Sequence, residues 1–278
     1  MILSHSVIIQ GGLGNQLFQI FALIAYCIEY KCNYIFPKNV QTWDKYRHTY
    51  WNSFLAQQDA FVVPNSTVDL MVEYTEPNFK YTKIPTLEQN TKLTGYFQSE
   101  KYFKDHFQTI VSLLRIREQQ SDVKRNSLVN SKQSISVHFR IGDYLRMKMT
   151  EHHPILTDEY YTRSIAHIIS ETGENEWNVY YACENCDNEI VDARIKYIQT
   201  IFNNLKFIKI SNDLEDWEQM LVMSVCEHNI IANSTFSWWS AYLNENKHKI
   251  VCYPEVWFGP AKKGVHVDDL YPESWQKH

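Results

Sequence analysis

Hydrophobic and polar positions alternate along this chain in two rhythms, a short one that fits strands and a longer one that fits helices. Ser6 to Gln10 is a brief apolar, β-branched run and predicts an opening strand, while the strongly apolar stretch from Leu17 to about Tyr30 predicts a buried helix. From about Pro37 to Glu88 the periodicity is lost and Asn, Thr, Tyr and Pro accumulate, with prolines at Pro64, Pro77 and Pro85. That composition predicts an irregular, substrate-facing insertion or lid. Lys92 to Gln98 predicts a strand. Phe103 to Arg117 predicts a helix with Phe103, Phe107, Ile110, Val111 and Leu114 on one stripe. The polar stretch from Arg117 to Gln133 predicts a linker.

Beyond the linker the pattern repeats as strand, helix, strand. Predicted strands run from Ile135 to Arg140, Asn178 to Ala182, Leu205 to Ile210, Asn229 to Ala232 and Lys249 to Tyr253. Predicted helices between them run from Asp158 to Glu171, Asn188 to Phe202, Asp216 to Cys226 and Phe236 to Leu243. Strands separated by helices of this length imply a parallel sheet, so the fold class is α/β. The expected division is an N-terminal α/β domain over residues 1–125 and a C-terminal, Rossmann-like domain over 126–278.

Three turns carry the candidate chemistry. Asn233-Ser234-Thr235 ends an apolar strand and opens a helix, with a small polar residue as N-cap. A helix start of this kind gathers backbone N–H groups and the positive end of the helix dipole, which suits a phosphate. An ordinary cap on a helix that buries Trp238 and Trp239 explains the same residues. Gly11-Gly12-Leu13-Gly14-Asn15-Gln16 joins the opening strand to the first helix, and its glycines let the backbone approach a ligand closely. It is neither the dinucleotide fingerprint nor a Walker loop, and a plain strand-to-helix turn accounts for it as well. In Ile135 to Arg140 the alternation sets Ile135, Val137 and Phe139 against Ser134, Ser136, His138 and Arg140. His138 and Arg140 then share a face and reach the strand's C-terminal end, where open α/β sheets bind ligands. The fork of donors on Arg140 suits a diphosphate, although a surface pair with Asp143 is the simpler alternative.

Composition narrows the class. The 278 residues suffice for one large domain, or for two of about 130 to 150 residues that each bury a core. Hydrophobic content is 44% and charged content 21%, as in ordinary globular proteins. A net charge of −5 gives no global attraction to nucleic acid or anionic membranes, so any phosphate site must be local. No run approaches the ~18–20 apolar residues of a membrane span, and Met1 to Gln10 lacks the basic residues of a secretory signal. The expected location is therefore cytoplasmic. The cysteines (Cys27, Cys32, Cys183, Cys186, Cys226 and Cys252) are then expected as reduced thiols. Cys183-x-x-Cys186 lacks a second pair and is read as incidental.

Taken in order, the motifs resemble those of family 11 glycosyltransferases, the α-1,2-fucosyltransferases. Gly11 to Gln19 matches that family's Gly-Gly-Leu-Gly-Asn-Gln opening, Gly95 to Ser99 its Gly-Tyr-Phe-Gln-Ser segment, and Asn233 to Leu243 its Asn-Ser-Thr-Phe-Ser-Trp-Trp block. His138 to Tyr144 matches its His-x-Arg-Arg-Gly-Asp-Tyr motif with one change, and Pro254, Trp257 and Pro272 to Trp275 resemble its tail. The change places Ile141 where the family has a second arginine, leaving Arg140 as the motif's cation. A family Phe-Ser-Asp-Asp segment is replaced by Tyr180 to Asp187, in which Glu184 is the acid placed to meet a guanine edge.

The resemblance implies a glycosyltransferase B-type architecture, two Rossmann-like domains facing a cleft, with the Gly11–Gln16 loop capping a nucleotide held by the second domain. It also implies inverting transfer of L-fucose from GDP-β-L-fucose to a sugar hydroxyl, such as O-2 of a galactose. Arg140, Asp143 and His138 are the implied catalytic residues. Gly12, Gly14, Asn15, Glu184, Asn233, Ser234, Thr235 and Phe236 are the implied donor-binding ones. Arg140 and the N–H groups of Ser234, Thr235 and Phe236 would stabilise the departing diphosphate, and Asp143 or His138 would serve as base. No Asp-x-Asp occurs in the chain, so no metal and no cofactor are expected. The expected partners are a GDP-sugar donor and a glycan acceptor. Two alternatives stand beside this reading: a transferase for another nucleotide sugar, and a non-catalytic glycan- or nucleotide-binding protein. Asn15, Arg140, Asp143 and Ser234 together speak against the latter, while Ile141 leaves it open.

Overall fold

A computed structural model describes residues 2–39, 48–127, 129–146 and 149–278, with the side chains of Asp143 and Arg146 outside the described set. The chain divides into two compact units, Met1–Glu118 with His266–Pro272 and Gln119–Val265 with Glu273–His278. The division falls after Glu118 rather than at 125.

The first unit is built on a parallel sheet in the order β2-β1-β6-β5, with β1 Ser4–Val7, β2 Asn33–Tyr34, β5 Val72–Thr75 and β6 Thr91–Thr94. A small parallel pair, β3 Phe36–Pro37 with β4 Val62–Val63, and the short helix α2 Asn65–Asp69 accompany it. The stretch expected to be irregular therefore contains a full edge strand. In β5 only Tyr74 is half-buried and its neighbours are exposed, so no burial rhythm was available to reveal it. Helix α1, Leu13–Tyr30, starts at the glycine turn itself and, apart from the half-buried Asn15, is buried through Cys27, the polar Gln16 and Gln19 included. The helix expected from Phe103 to Arg117 is instead broken. Two 3-10 turns lead into α3, Phe107–Leu113, and left-handed backbone at Arg115 (φ 52°) separates it from α4, Ile116–Asn126.

Helix α4 occupies the predicted linker. Glu118 in its first turn and Lys124 and Arg125 in its last complement the helix dipole. Only Gln120 and Val123 among its central residues are buried, which gave the sequence little apolar signal. The Gln120 amide donates to Ser224 Oγ at 2.6 Å and to the Leu243 carbonyl at 3.2 Å within the second unit.

The second unit carries a parallel sheet in the order β12-β11-β10-β7-β8-β9. Its strands are β7 Ser134–His138, β8 Asn178–Ala182, β9 Lys206–Lys209, β10 His228–Ile230, β11 Val251–Tyr253 and β12 Gln276–Lys277. Helices α5 Gly142–Arg146, α6 Asp158–Thr172, α7 Asn188–Ile201, α8 Asp216–Ser224 and α9 Thr235–Leu243 connect them. All five residues of β7 are buried, as expected of a central parallel strand covered on both faces. Its polar positions are absorbed internally, with Ser136 Oγ accepting from Asn229 Nδ2 at 2.7 Å.

Each sheet reverses its growth once. In the second unit β8 and β9 add on one side of β7, after which β10 and β11 add on the other. In the first, β2 lies on one side of β1 and β6 on the other. Such a switch point opens a crevice at the carboxyl ends of the two strands beside it, and ligands bind there in open α/β sheets. The segment His266–Pro272, grouped with the first unit, buries Leu270 and carries Asp268 and Asp269 to Lys80 and Lys101. Among the described residues no helix is long and apolar enough to cross a membrane, and all six cysteines are free thiols.

Candidate active site

In the second unit the crevice is formed by the ends of β7 and β10. Beyond β10 the chain turns at Ala232–Ser234, where the Ser237 hydroxyl accepts from Ala232 N at 3.1 Å and Ser234 N donates to the Ala232 carbonyl at 2.8 Å. Ser234 is the N-cap of α9 in extended conformation, and its side chain makes no capping bond. The hydroxyl of Ser234 thus leaves the first-turn N–H groups untouched, although its own N–H, expected to face a ligand, is used to close the turn. Asn233 is buried and anchors the loops around it, donating from Nδ2 to the carbonyls of Pro154 (2.9 Å) and Trp257 (3.3 Å).

Arg140 follows β7 and pairs with Glu184, which follows the neighbouring β8, through Nη1 to Oε1 at 2.9 Å. Its guanidinium also lies 5.4 Å from the centre of the Tyr144 ring. The Tyr144 hydroxyl donates to the Asn233 carbonyl at 3.0 Å, tying the arginine's platform to the α9 turn. Glu184 therefore stands on Arg140. The Asp143 side chain lies outside the described residues, so its expected pairing with Arg140 and its role as base find no geometry here. Ile141 packs into the apolar core of the unit with Val137, Phe139 and Tyr161. Two strand ends thus present a single motif arginine, because the neighbouring position is spent on packing.

His138 is 4% exposed and its ring lies 5.2 Å from that of Phe236 in the first turn of α9. Burial, helped by the Arg140 charge, lowers its pKa to about 3, and Nδ1 has no hydrogen-bond partner among the described residues. His153 stacks on Tyr144 with ring centres 4.9 Å apart and planes at 17°. Burial, then Lys262, His152 and Arg140, lower its pKa to about 4. Lys262 sits over the Phe258 ring at 4.6 Å, and Phe258 in turn meets His153 at 5.5 Å. The crevice is thus a cationic, aromatic-walled region with two neutral histidines. Glu184, Cys186 and Asp187 are near enough together to hold an ion, but Glu184 is engaged by Arg140 and Asp187 accepts from Gly142 N at 2.7 Å.

The first unit's crevice contains the glycine turn. Gly11 has φ +78°, and a side chain there would place Cβ 2.5 Å from Asn15 Nδ2. Gly12 is the N-cap of α1 and Gly14 is buried inside its first turn. Glutamines hold this turn: Gln19 accepts from Gln10 N (3.0 Å) and donates to its carbonyl (3.2 Å), and Gln16 donates to the Gly11 carbonyl (3.0 Å). Asn15 Oδ1 accepts from Gln98 Nε2 at 2.9 Å.

A model of the family described as Glycosyl transferase family 11 matches residues 57–276. The chain belongs to that family. It is a glycosyltransferase. A relative in Escherichia coli, named Alpha-1,2-colitosyltransferase, is 25% identical over 285 residues, covering 95% of each chain. Another, the Escherichia coli O-antigen biosynthesis glycosyltransferase WbnK, is 29% identical over 193 residues, 66% of this chain and 59% of its own length. Among solved structures, Arabidopsis thaliana FUT1 in complex with GDP superposes with TM-score 0.52 at 10% identity, over 90% of this chain and 70% of FUT1. Escherichia coli ADP-heptose LPS heptosyltransferase II superposes with TM-score 0.51 at 8% identity, over 100% and 90%. These likenesses concern the fold, which is of the glycosyltransferase B type.

In this family 11 enzyme the sequence-derived residues gather into two groups by unit. His138, Arg140, Glu184, Asn233, Ser234, Thr235 and Phe236 lie around the β7/β10 crevice, while Gly12, Gly14 and Asn15 lie at the end of β1. His153, Lys262 and Tyr144 were missed, as were Gln10, Gln16, Gln19 and Gln98. The spacing of Gln10, Gln16 and Gln19 around the glycines, six residues and then three, was the one available signal. His153 and Lys262 lie over a hundred positions apart, and only the folded chain shows them to be neighbours.

Proposed function

We propose that this glycosyltransferase moves L-fucose from GDP-β-L-fucose to a sugar hydroxyl, with inversion, to give an α-1,2 linkage to galactose or a similar residue. The observation that supports this most is Arg140 at the β7/β10 switch point, held between Glu184 and Tyr144 and tied through Tyr144 to the start of α9. Breaking the bond from the anomeric carbon to the diphosphate leaves an electron-poor sugar and a leaving group that gains negative charge. A fixed guanidinium and the positive end of α9 stabilise that charge as it develops. Asn233, Thr235 and Phe236 shape the same turn, and Gly12, Gly14 and Asn15 form the donor-facing turn of the first unit. His138 is sealed and weakly basic, so it is poorly suited to take the acceptor's proton near neutral pH. Of the two candidate bases that leaves Asp143. No metal takes part in this reading, since Arg140 and the α9 dipole supply the positive charge.

A second reading has a specific observation in its favour. The relative matched over 95% of both chains is named a colitosyltransferase, so a different deoxy-sugar nucleotide is the alternative donor. The test is calorimetry with GDP followed by transfer assays with GDP-fucose and other GDP-sugars on galactose-ended acceptors. Binding of GDP that persists in EDTA, with transfer from GDP-fucose, is expected. Loss of binding in EDTA overturns the metal-free reading, and turnover of another GDP-sugar alone moves the assignment to the second donor.

A further inference from the structure

The first unit's switch point holds a device that the glycine motif does not account for. Glu76 lies one residue past β5, its N–H continuing the ladder to the Thr94 carbonyl at 2.7 Å. Its carboxylate turns back over the end of β6. Oε2 accepts from the backbone N–H groups of Tyr96 (2.8 Å) and Phe97 (3.0 Å), and Oε1 accepts from the Tyr102 hydroxyl (3.2 Å). One side chain thus takes three donors. The backbone it holds is unusual: Gly95 has φ +158° and Phe97, fully buried, has φ +51°. A left-handed phenylalanine is strained and persists only where its surroundings impose it. At Gly95 a Cβ would come within 2.4 Å of Glu76 Cβ, so the close approach of the two chains itself requires glycine.

The turn held in this way supports the glycine loop. The Gly95 carbonyl accepts from Gln10 Nε2 at 3.3 Å, and Gln98, the next residue after Phe97, donates to Asn15 Oδ1. We propose that Glu76 is a positioning residue for transfer: it fixes the Gly95–Gln98 turn so that Gln98 sets the orientation of Asn15 at the start of α1. The inference rests on the reading above in one respect, that Asn15 takes part in transfer. Glu76 touches no reacting atom and acts through two intermediaries, so its removal should be felt in turnover more than in folding.

The experiment is a double-mutant cycle on the full chain, run with whichever nucleotide sugar the parent turns over. In this way an error in the donor assignment leaves the cycle readable. Glu76→Asp keeps the charge but withdraws the carboxylate by one methylene, and Glu76→Gln keeps an oxygen for the Tyr96 and Phe97 N–H groups. Because displacements of an ångström or less near a reacting centre cost about tenfold to a hundredfold, Glu76→Asp and Asn15→Ala should each lower kcat about tenfold. Glu76→Gln should stay within about threefold of the parent, since its amide oxygen still accepts both backbone donors. The double variant Glu76→Asp with Asn15→Ala should be no slower than Asn15→Ala alone, because residues acting through one another are not additive. Multiplying losses in the double variant, or Glu76→Asp turning over at the parent's rate, would overturn the proposal. A parent-like Asn15→Ala would overturn it as well. A merely structural glutamate would lower the melting temperature of Glu76→Asp without producing this non-additivity.

Discussion

The two switch points share a plan and differ in chemistry. Each sets a strand-to-helix turn beside the end of a neighbouring parallel strand, and at each the N-cap residue, Gly12 or Ser234, makes no side-chain capping bond. At β7/β10 the surrounding side chains are Arg140, Glu184, His138, His153 and Lys262, set among aromatic rings. At β1/β6 they are amides, Gln10, Asn15, Gln16, Gln19 and Gln98, with Glu76 behind them. A cationic crevice suits a leaving group on which charge grows, whereas a crevice of neutral amides suits polar groups whose charge does not change. The same topology thus carries an electrostatic sink in one unit and a set of neutral hydrogen-bonding groups in the other.

Arg140→Ala gives the sharpest break in that comparison. Loss of a single donor to a developing oxyanion costs about 10²–10³ in kcat, and this drop is expected with the fold retained. Arg140→Lys should recover only part of the activity, since an ammonium lacks the planar fork. Steady-state kinetics beside circular dichroism checks both, and an Arg140→Ala enzyme within a few-fold of the parent would remove the electrostatic role from this crevice.

At the amide crevice the corresponding change is steric. Gly11→Ala forces a side chain into left-handed backbone and onto Asn15 Nδ2, so a loss of about 1–3 kcal/mol of stability is expected, read as a lower urea midpoint. Activity should fall further than stability does, because Asn15 must move. Unchanged stability would show that the turn relaxes freely.

The smallest effect separates the crevices by pH. His138 is held neutral down to about pH 3, while the unfolded chain takes up its proton below the usual histidine value of 6.5. Unfolding then binds protons, so stability rises with pH through this window and is lost as the pH falls from about 6.5 towards 3. The slope approaches about 1.4 kcal/mol per pH unit for one fully buried histidine. His153, only half-buried, adds less. His5 in the first unit and His228 in the second are lowered in the same direction. Urea melts between pH 7 and 4.5 should therefore show a shallower slope for His138→Gln than for the parent, and equal slopes would contradict the assignment.

Residues whose signal is local were legible in the sequence. Strand Asn178–Ala182 was read to the residue, and α6, α7 and α9 to within one position at either end, because each carries a buried stripe or run bounded by polar residues. The turns at Gly11–Gln16, at the end of β7 and at Asn233–Thr235 were legible through glycine, arginine and cap. What escaped was decided by partners distant in sequence. Strand β5 is exposed except at the half-buried Tyr74 and exists because β6 pairs with it. Helix α4 looked like linker because, beyond Ile116 at its start, its burial rests on Gln120 and Val123. Ser234 N–H was read as facing a ligand, yet it closes its own turn on Ala232. Glu76 sat in a stretch without period, and its meaning depends on Tyr96, Phe97 and Tyr102 some twenty or more positions on.

The return of His266–Pro272 to the first unit sets the order in which the molecule can be completed during synthesis. Tyr81 N donates to Asp269 at 3.1 Å, Lys101 pairs with the same carboxylate, and Leu270 is buried. A nascent chain emerging from the ribosome has all of β1 to β6 available long before these last contacts exist. The first unit therefore waits, incompletely closed, while Gln119–Val265 of the second is made. A fragment ending at Glu118 lacks a part of its own fold that no local resequencing of the fragment supplies.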